Sequence, residues 1–263
     1  MISAMLQYIQ HSPDCFHAVE ELRQRLLREG YTELRPGRWQ LTAGGKYFTT
    51  KNGSSMMAFR LPQEAPAGFL LTASHSDSPC FRLRDHAELT GEYIRLSADR
   101  YGGMINDSWL DRPLSVAGRV LVRREGGLEA RLVDLKRDVA LIPRVAIHLN
   151  RETNSGVKYD PARDLVALYA AGTGSGSFYR EVARTADCAP EDVVAGDLVL
   201  YNNQPGTVWG AEGEFVSAPR LDDLACVFAC AEGFLTAQER DMVPVLCVFD
   251  NEEIGSETKQ GAA

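Results

Sequence analysis

The chain has 263 residues, 44% of them apolar and 24% charged, a balance that suits one large soluble domain or two smaller ones. Its 28 basic and 36 acidic side chains leave a net charge of −8, which argues against a general nucleic-acid or anionic-membrane surface. Residues 1–10 lack the basic segment that opens a targeting peptide, and no apolar run nears the roughly 20 residues of a membrane span, so a cytoplasmic protein is expected.

Ser12-Pro13-Asp14 reads as a helix start, with Ser12 as N-cap and Pro13 in the first helical position. Phe16, Val19, Leu22 and Leu26 then recur at spacings of three and four, and Gly30 ends this amphipathic helix. Strand-like segments follow at 47–50 and 55–60, joined by the Asn-Gly turn signal of Asn52-Gly53. Residues 68–75 read as a buried strand that stops at the polar group His75-Ser76-Asp77.

From about His86 to Ser217 the texture changes to short alternating segments and frequent glycine turns, the pattern of a mostly β module. Segments 116–123 and 128–135 flank Arg124-Glu-Gly-Gly127 as a hairpin. Segments 197–202 and 207–210 read as a second pair around Asn203-Gln-Pro-Gly206. The glycine-rich stretch 172–177 has neither the Gly-Lys-Ser/Thr ending of a phosphate loop nor a dinucleotide fingerprint, and reads as a plain loop.

Past Ser217 a helix is expected over 224–237, with Asp222 or Asp223 at its start. Val243 to Phe249 has the length and β-branched content of a buried strand in a parallel sheet, and it stops at Asp250-Asn-Glu-Glu253. In open α/β sheets, sites lie beyond the carboxyl ends of strands. The six cysteines are scattered without a Cys-x-x-Cys pair and read as reduced thiols, most of them in the core. Cys226 and Cys230, one helical turn apart, could share a metal, but their apolar neighbours favour packing.

Three polar motifs need a joint account: His75-Ser-Asp77, Asp222 at a helix start, and Glu252-Glu253. Separately they read as a turn histidine, an N-cap and a solvated acidic turn. Together they suit a two-metal hydrolase, in which a carboxylate bridges two ions and a neighbouring, non-ligating Glu takes a proton from the bridging water. A carboxylate behind a ligating histidine fixes its tautomer.

Ser12-Pro-Asp-Cys-Phe-His-Ala-Val19, Ala73-Ser-His-Ser-Asp-Ser-Pro-Cys80, Ala146-Ile-His-Leu-Asn-Arg151, Ser217-Ala-Pro-Arg-Leu-Asp-Asp-Leu224 and Phe249-Asp-Asn-Glu-Glu-Ile-Gly-Ser256 occur in order along nearly the whole chain. In these the chain resembles the N-terminal part of the aspartyl aminopeptidases, a family of dizinc exopeptidases. The resemblance implies His75 as a ligand of one zinc, Asp222 as the bridge and Glu253 as a ligand of the other. Glu252 would be the general base and acid, and Asp77 would orient His75. It also implies that His148, by pattern a strand histidine, reaches the active site of a neighbouring subunit. The implied reaction is release of an N-terminal Asp or Glu from peptides by a hydroxide bridging two zinc ions, other divalent ions being possible. The implied assembly is a dimer within a tetrahedral dodecamer.

His75 and Asp222 are far apart in sequence yet must share a metal pair. The expected fold is therefore α/β: a zinc-exopeptidase-like catalytic domain with a mostly parallel sheet, in two parts (1–85 and 218–263). Between them, 86–217 would form an inserted β-rich domain, which the resemblance implies serves dimerisation and oligomerisation. A metal pair needs roughly five side chains, and only His75, Asp222 and Glu253 are found; recruiting His11, His17 or His86 for the missing places would abandon the motif logic. The resemblance implies a further carboxylate and histidine beyond Ala263, so these 263 residues alone are expected to be inactive. The rival readings are a dizinc amidohydrolase or deacylase of small N-acyl compounds and a non-catalytic assembly module. An acidic substrate side chain requires a cation, for which Arg82, Arg84, Arg151 and Lys158 are the sequence candidates.

Overall fold

The computed structural model describes residues 1–172, 174–238 and 241–262; Thr173 of the glycine-rich stretch and the terminal Ala263 lie outside them. In chain order, α1 (Ile2–His11) and α2 (Cys15–Arg28) precede β1 (Thr32–Glu33), β2 (Lys46–Lys51), β3 (Ser55–Arg60) and β4 (Gly68–His75). Next come β5 (Cys80–Leu89), β6 (Tyr93–Tyr101), β7 (Pro113–Arg124), β8 (Gly127–Asp134), β9 (Ala140–Leu141), α3 (Pro161–Asp164), β10 (Ala167–Ala171), α4 (Ser177–Thr185) and β11 (Val193–Tyr201). The chain closes with β12 (Thr207–Trp209), β13 (Phe215–Ser217), α5 (Leu221–Thr236) and β14 (Met242–Phe249). No helix of the described residues is long and apolar enough to cross a membrane.

Two compact units emerge, one of residues 1–78 and 204–263 and the other of 79–203. Their boundaries lie at 78/79 and 203/204, against 85/86 and 217/218 drawn from sequence texture.

In the first unit a five-stranded sheet has the order β1-β2-β3-β14-β4. It is mixed, not mostly parallel: β1–β2 and β4–β14 are parallel, β2–β3 and β3–β14 antiparallel. The reason is local. Asn52 and Gly53 both take positive φ, 57° and 71°, which turns β2 straight back into β3, whereas β4 reaches β14 only after a long crossover. β14 is buried as expected. Its Leu246 and Val248 join a cluster with Ile9, Val19, Leu22, Leu26, Leu224, Val227 and Phe234 from α1, α2 and α5. Its Val243, Val245 and Cys247 pack with Tyr47 and Phe59 on the opposite face.

β4, expected to be buried, is an edge strand, and Phe69, Leu70 and Leu71 are exposed. An apolar run resembles a central strand whether or not a neighbour pairs with its second edge, so sequence pattern does not distinguish the two. The helix start also moves. Ser12 is the C-cap of α1, a helix that the sequence pattern does not announce. Asp14 is the N-cap of α2, its Oδ1 accepting the N–H groups of Phe16 and His17 at 2.8 and 3.0 Å.

Two arginines fix the ends of helices in this unit. Arg220 donates to the carbonyls of Ser12 and Ile9 at the end of α1, at 3.0 and 3.1 Å. Arg60 on β3 donates to the carbonyls of Phe234 and Ala237 at the end of α5, and its guanidinium lies 4.9 Å from the Phe234 ring centroid. Arg60→Ala is expected to cost about 2 kcal/mol, the scale of charge-assisted hydrogen bonds left unmade. Arg60→Lys should recover only part of this, because one ammonium does not reproduce the fork. Urea unfolding of the three proteins measures it.

The second unit is β-rich. Its strands run β11-β5-β6-β10-β9-β7-β8, and an additional β11–β7 pairing closes the first six into a ring. Phe81, Leu96, Leu114, Val120, Val182 and Leu200 are among the residues that fill it. Closure depends on Gly118 in β7, whose φ is 146° and where an added Cβ would lie 2.0 Å from the Asp197 carbonyl oxygen. The β7–β8 hairpin forms around Glu125-Gly126 as expected. The second expected hairpin does not form. Residues 193–201 pair with β7 and β5, and 207–209 pair with 215–217, because the chain passes from one unit to the other at 203/204.

Candidate metal centre

β4 and β14 run parallel in register, with Phe249 opposite His75, so two strands far apart in sequence end side by side. Ser76 locks the junction: its N–H donates to the Phe249 carbonyl at 2.7 Å, and its hydroxyl reaches the carbonyls of Ser54 and Phe249 at 2.6 and 3.0 Å. Beyond β14, Asn251 at φ 66° bends the chain into a short 3₁₀ turn over Glu252–Ile254. Asparagine tolerates this left-handed conformation better than most residues, which suits it to the position. Both carboxylate oxygens of Asp77 then cap that turn, Oδ1 accepting the Glu252 N–H and Oδ2 the Glu253 N–H, each at 3.2 Å.

Asp77 also faces His75. The imidazole Nδ1–H donates to the Asp77 carbonyl at 3.0 Å and lies 3.3 Å from Oδ1, which leaves Nε2 as the ring's outward nitrogen. Three carboxylates converge on it: Asp222 Oδ1 at 3.4 Å, Glu252 Oε2 at 3.7 Å and Asp223 Oδ2 at 3.8 Å. The side chains form a gradient of depth. Asp77 is 3% exposed, His75 13%, Asp223 16%, Glu252 56% and Asp222 83%, so the last two face the side a substrate would approach.

Asp222 and Asp223 depart from helical φ/ψ at the start of α5, so their side chains do not simply cap it. Asp223 Oδ2 accepts the His75 backbone N–H at 3.1 Å, and the Ser78 hydroxyl donates to the Asp222 carbonyl at 2.8 Å. Ligand atoms of His75, Asp222 and Asp223 all lie within 4.8 Å of one another. The expected ligands were His75, Asp222 and Glu253; the tight group contains Asp223, while Glu253 meets Asp77 through its backbone N–H. The signal for Asp223 was the doubled aspartate, where a helix cap needs only one.

His148 lies exposed in a turn at 147–149 of the second unit and not in a strand. Arg82, Arg84, Arg151 and Lys158 also belong to that unit; Arg84 pairs with Asp99, and Arg82 stacks 4.6 Å from the Tyr101 ring centroid. His17 is engaged by Asp14, 2.7 Å away.

Burial disfavours the charged imidazole of His75, but Asp77, Asp223 and Glu252 outweigh it and lift the pKa to about 9. The neighbouring Asp223 carboxylate, together with burial, pushes the Cys226 thiol up to about 11. Because His75 titrates higher in the folded chain than its ordinary value of 6.5, its ion pairing contributes stability fully below that pH and loses it as pH rises through about 9. The metal-free chain should therefore lose more stability between pH 6.5 and roughly 9.5 than its His75→Gln variant, as read by urea unfolding at both pH values.

The donor set fits a divalent cation of the zinc type. One imidazole nitrogen and neighbouring carboxylates are zinc donors, and three carboxylates around one imidazole are mutually repulsive unless a cation lies among them.

The family model described as aminopeptidase I zinc metalloprotease (M18) matches residues 8–263. The chain is 39% identical over 271 residues to the probable M18 family aminopeptidase 2 of Clostridium novyi, covering 98% of this chain and 62% of that protein. It superposes on the structure of Chaetomium thermophilum mApe1 with a TM-score of 0.90 at 31% identity, covering 99% of this chain and 64% of that one. For the S. cerevisiae mApe1 dodecamer the TM-score is 0.84 at 29% identity, with 99% and 62% covered. The chain thus spans about 62% of the length of the Clostridium relatives it matches.

Proposed function

Since the chain belongs to the aminopeptidase I zinc metalloprotease (M18) family, we propose that it carries half of the catalytic centre of a zinc aminopeptidase that removes N-terminal residues, preferably Asp or Glu, from peptides. The observation that carries this reading is the convergence of Asp222, Asp223 and Glu252 on the outward nitrogen of a histidine held from behind by Asp77.

In this reading His75, Asp222 and Glu253 would hold the zinc, Asp222 being the most exposed carboxylate around the imidazole. Asp223 positions: it holds the backbone N–H of His75. Bound zinc supplies Lewis acidity and lowers the pKa of water. Glu252, on the exposed side of the cluster, accepts the proton of the attacking water and returns it to the leaving amine. Asp77 keeps Nδ1 protonated, so that Nε2 stays available as a donor. With these three ligands, two ions require further side chains, so catalysis is proposed for the chain completed by a segment such as its longer relatives carry. The second unit is proposed to serve assembly, as the dodecameric relative suggests, with His148 presented to a neighbouring copy.

The test is zinc uptake by the purified chain and by His75→Ala. The wild-type chain should bind at least one equivalent and the variant should lose it; failure of the wild type to bind overturns the reading. Joined to the C-terminal part of the C. novyi relative, the chain should release Asp and Glu from aminoacyl p-nitroanilides.

A further inference from the structure

The apolar neighbours of Cys226 and Cys230 favour a place in the core, but the buried stripe of α5 is Leu224, Val227, Phe228, Ala231 and Phe234, and the two cysteines fall beside it. Cys226 is exposed and Cys230 half-buried, and both are free thiols. They are four positions apart on one helix, so they share a face with Cβ atoms about 6 Å apart. Each sulfur has a defined neighbour: the Asp223 carboxylate is beside the Cys226 thiol, and the Thr72 hydroxyl donates to Cys230 Sγ at 2.9 Å.

A Cβ separation of about 6 Å is too long for an unstrained disulfide, which needs about 3.8 Å. It suits one inserted atom bonded to both sulfurs. We propose that Cys226 and Cys230 form a dithiol site for a soft, thiophilic centre of the trivalent arsenical class. A monosubstituted arsenous acid, R–As(OH)₂, reacts with the two thiols. Two As–S bonds form and two As–O bonds break. The two thiol protons leave with the two hydroxyl groups as water, and arsenic remains trivalent, so no oxidant or reductant is required. Among the cysteines only this pair shares a helical turn: Cys15 opens α2, Cys80 and Cys188 lie in the second unit, and Cys247 is buried on the other face of β14.

The experiment titrates the folded, zinc-free chain with phenylarsine oxide, counting reactive thiols with a chromogenic disulfide and following the intact mass. One arsenical per chain is expected, with the loss of two thiols. Cys226→Ser and Cys230→Ser should each weaken capture by roughly 100-fold or more, since the second As–S bond forms at an effective concentration in the millimolar range. Cys188→Ser should leave it unchanged. Serine is nearly isosteric, and circular dichroism checks that each variant folds. No tight capture by the wild-type chain, or undiminished capture by either Cys226→Ser or Cys230→Ser, overturns the proposal. Because the readout is thiol loss and mass, it does not depend on the metal centre or on hydrolysis.

Discussion

Asp77→Asn is expected to weaken zinc binding roughly 10–100-fold, the range for losing the partner behind a ligating histidine. The side chain is 3% exposed and meets three donors: the N–H groups of Glu252 and Glu253 and the imidazole Nδ1–H, whose main acceptor is the Asp77 carbonyl. Asparagine preserves the shape but turns one acceptor oxygen into an NH₂ group. That group must then face a donor. Either the turn carrying Glu252 loosens or the imidazole does, and a buried donor left unpaired costs about 1–3 kcal/mol. The His75 pKa should also fall, since Asp77 provides the leading upward contribution against burial. Competition with a chromophoric chelator measures the affinity, and NMR titration of the imidazole gives the pKa. Unchanged zinc affinity would show that Asp77 caps the turn without serving the metal.

Glu252→Gln is expected to lower kcat by roughly 10²–10⁴ in the chain completed with the C-terminal part of a relative, while zinc content stays the same. The carboxylate lies 3.7 Å from His75 Nε2 and is more than half exposed. That places it near the metal position and open to water. The amide keeps the volume and the backbone N–H that binds Asp77, so the turn should persist, and the change removes only the proton acceptor. Steady-state kinetics alongside metal analysis distinguishes the outcomes. Loss of zinc with loss of rate would make Glu252 a ligand; near-normal rate would remove it from the mechanism.

Local signals in the sequence were readable where one residue type determines the backbone. The Asn52-Gly53 turn is such a case, because only residues tolerant of positive φ turn a strand back so tightly. The strand at 243–249 was equally legible, and so were the motifs at its end and at His75. What was not legible depended on neighbours distant in sequence. β4 has the same apolar texture as β14, yet β14 lies between β3 and β4 while β4 is at the edge. Segment 197–202 has strand character without revealing that β7 is its partner. Asp223 was hidden by Asp222: adjacent residues of the same type compete for one inferred role, and only the non-helical geometry at 222 and 223 brings both carboxylates to His75.

The clamp of Asp77 on the Glu252 and Glu253 amides reaches across 175 and 176 positions. It forms only when Phe249 lies opposite His75, because the capped turn begins just beyond that pair. A slip of one residue between β4 and β14 would carry Glu252 away from the histidine and reverse the faces of every side chain in the slipped strand. The clamp and the meeting of Glu252 with His75 therefore stand or fall together with the register of β4 on β14.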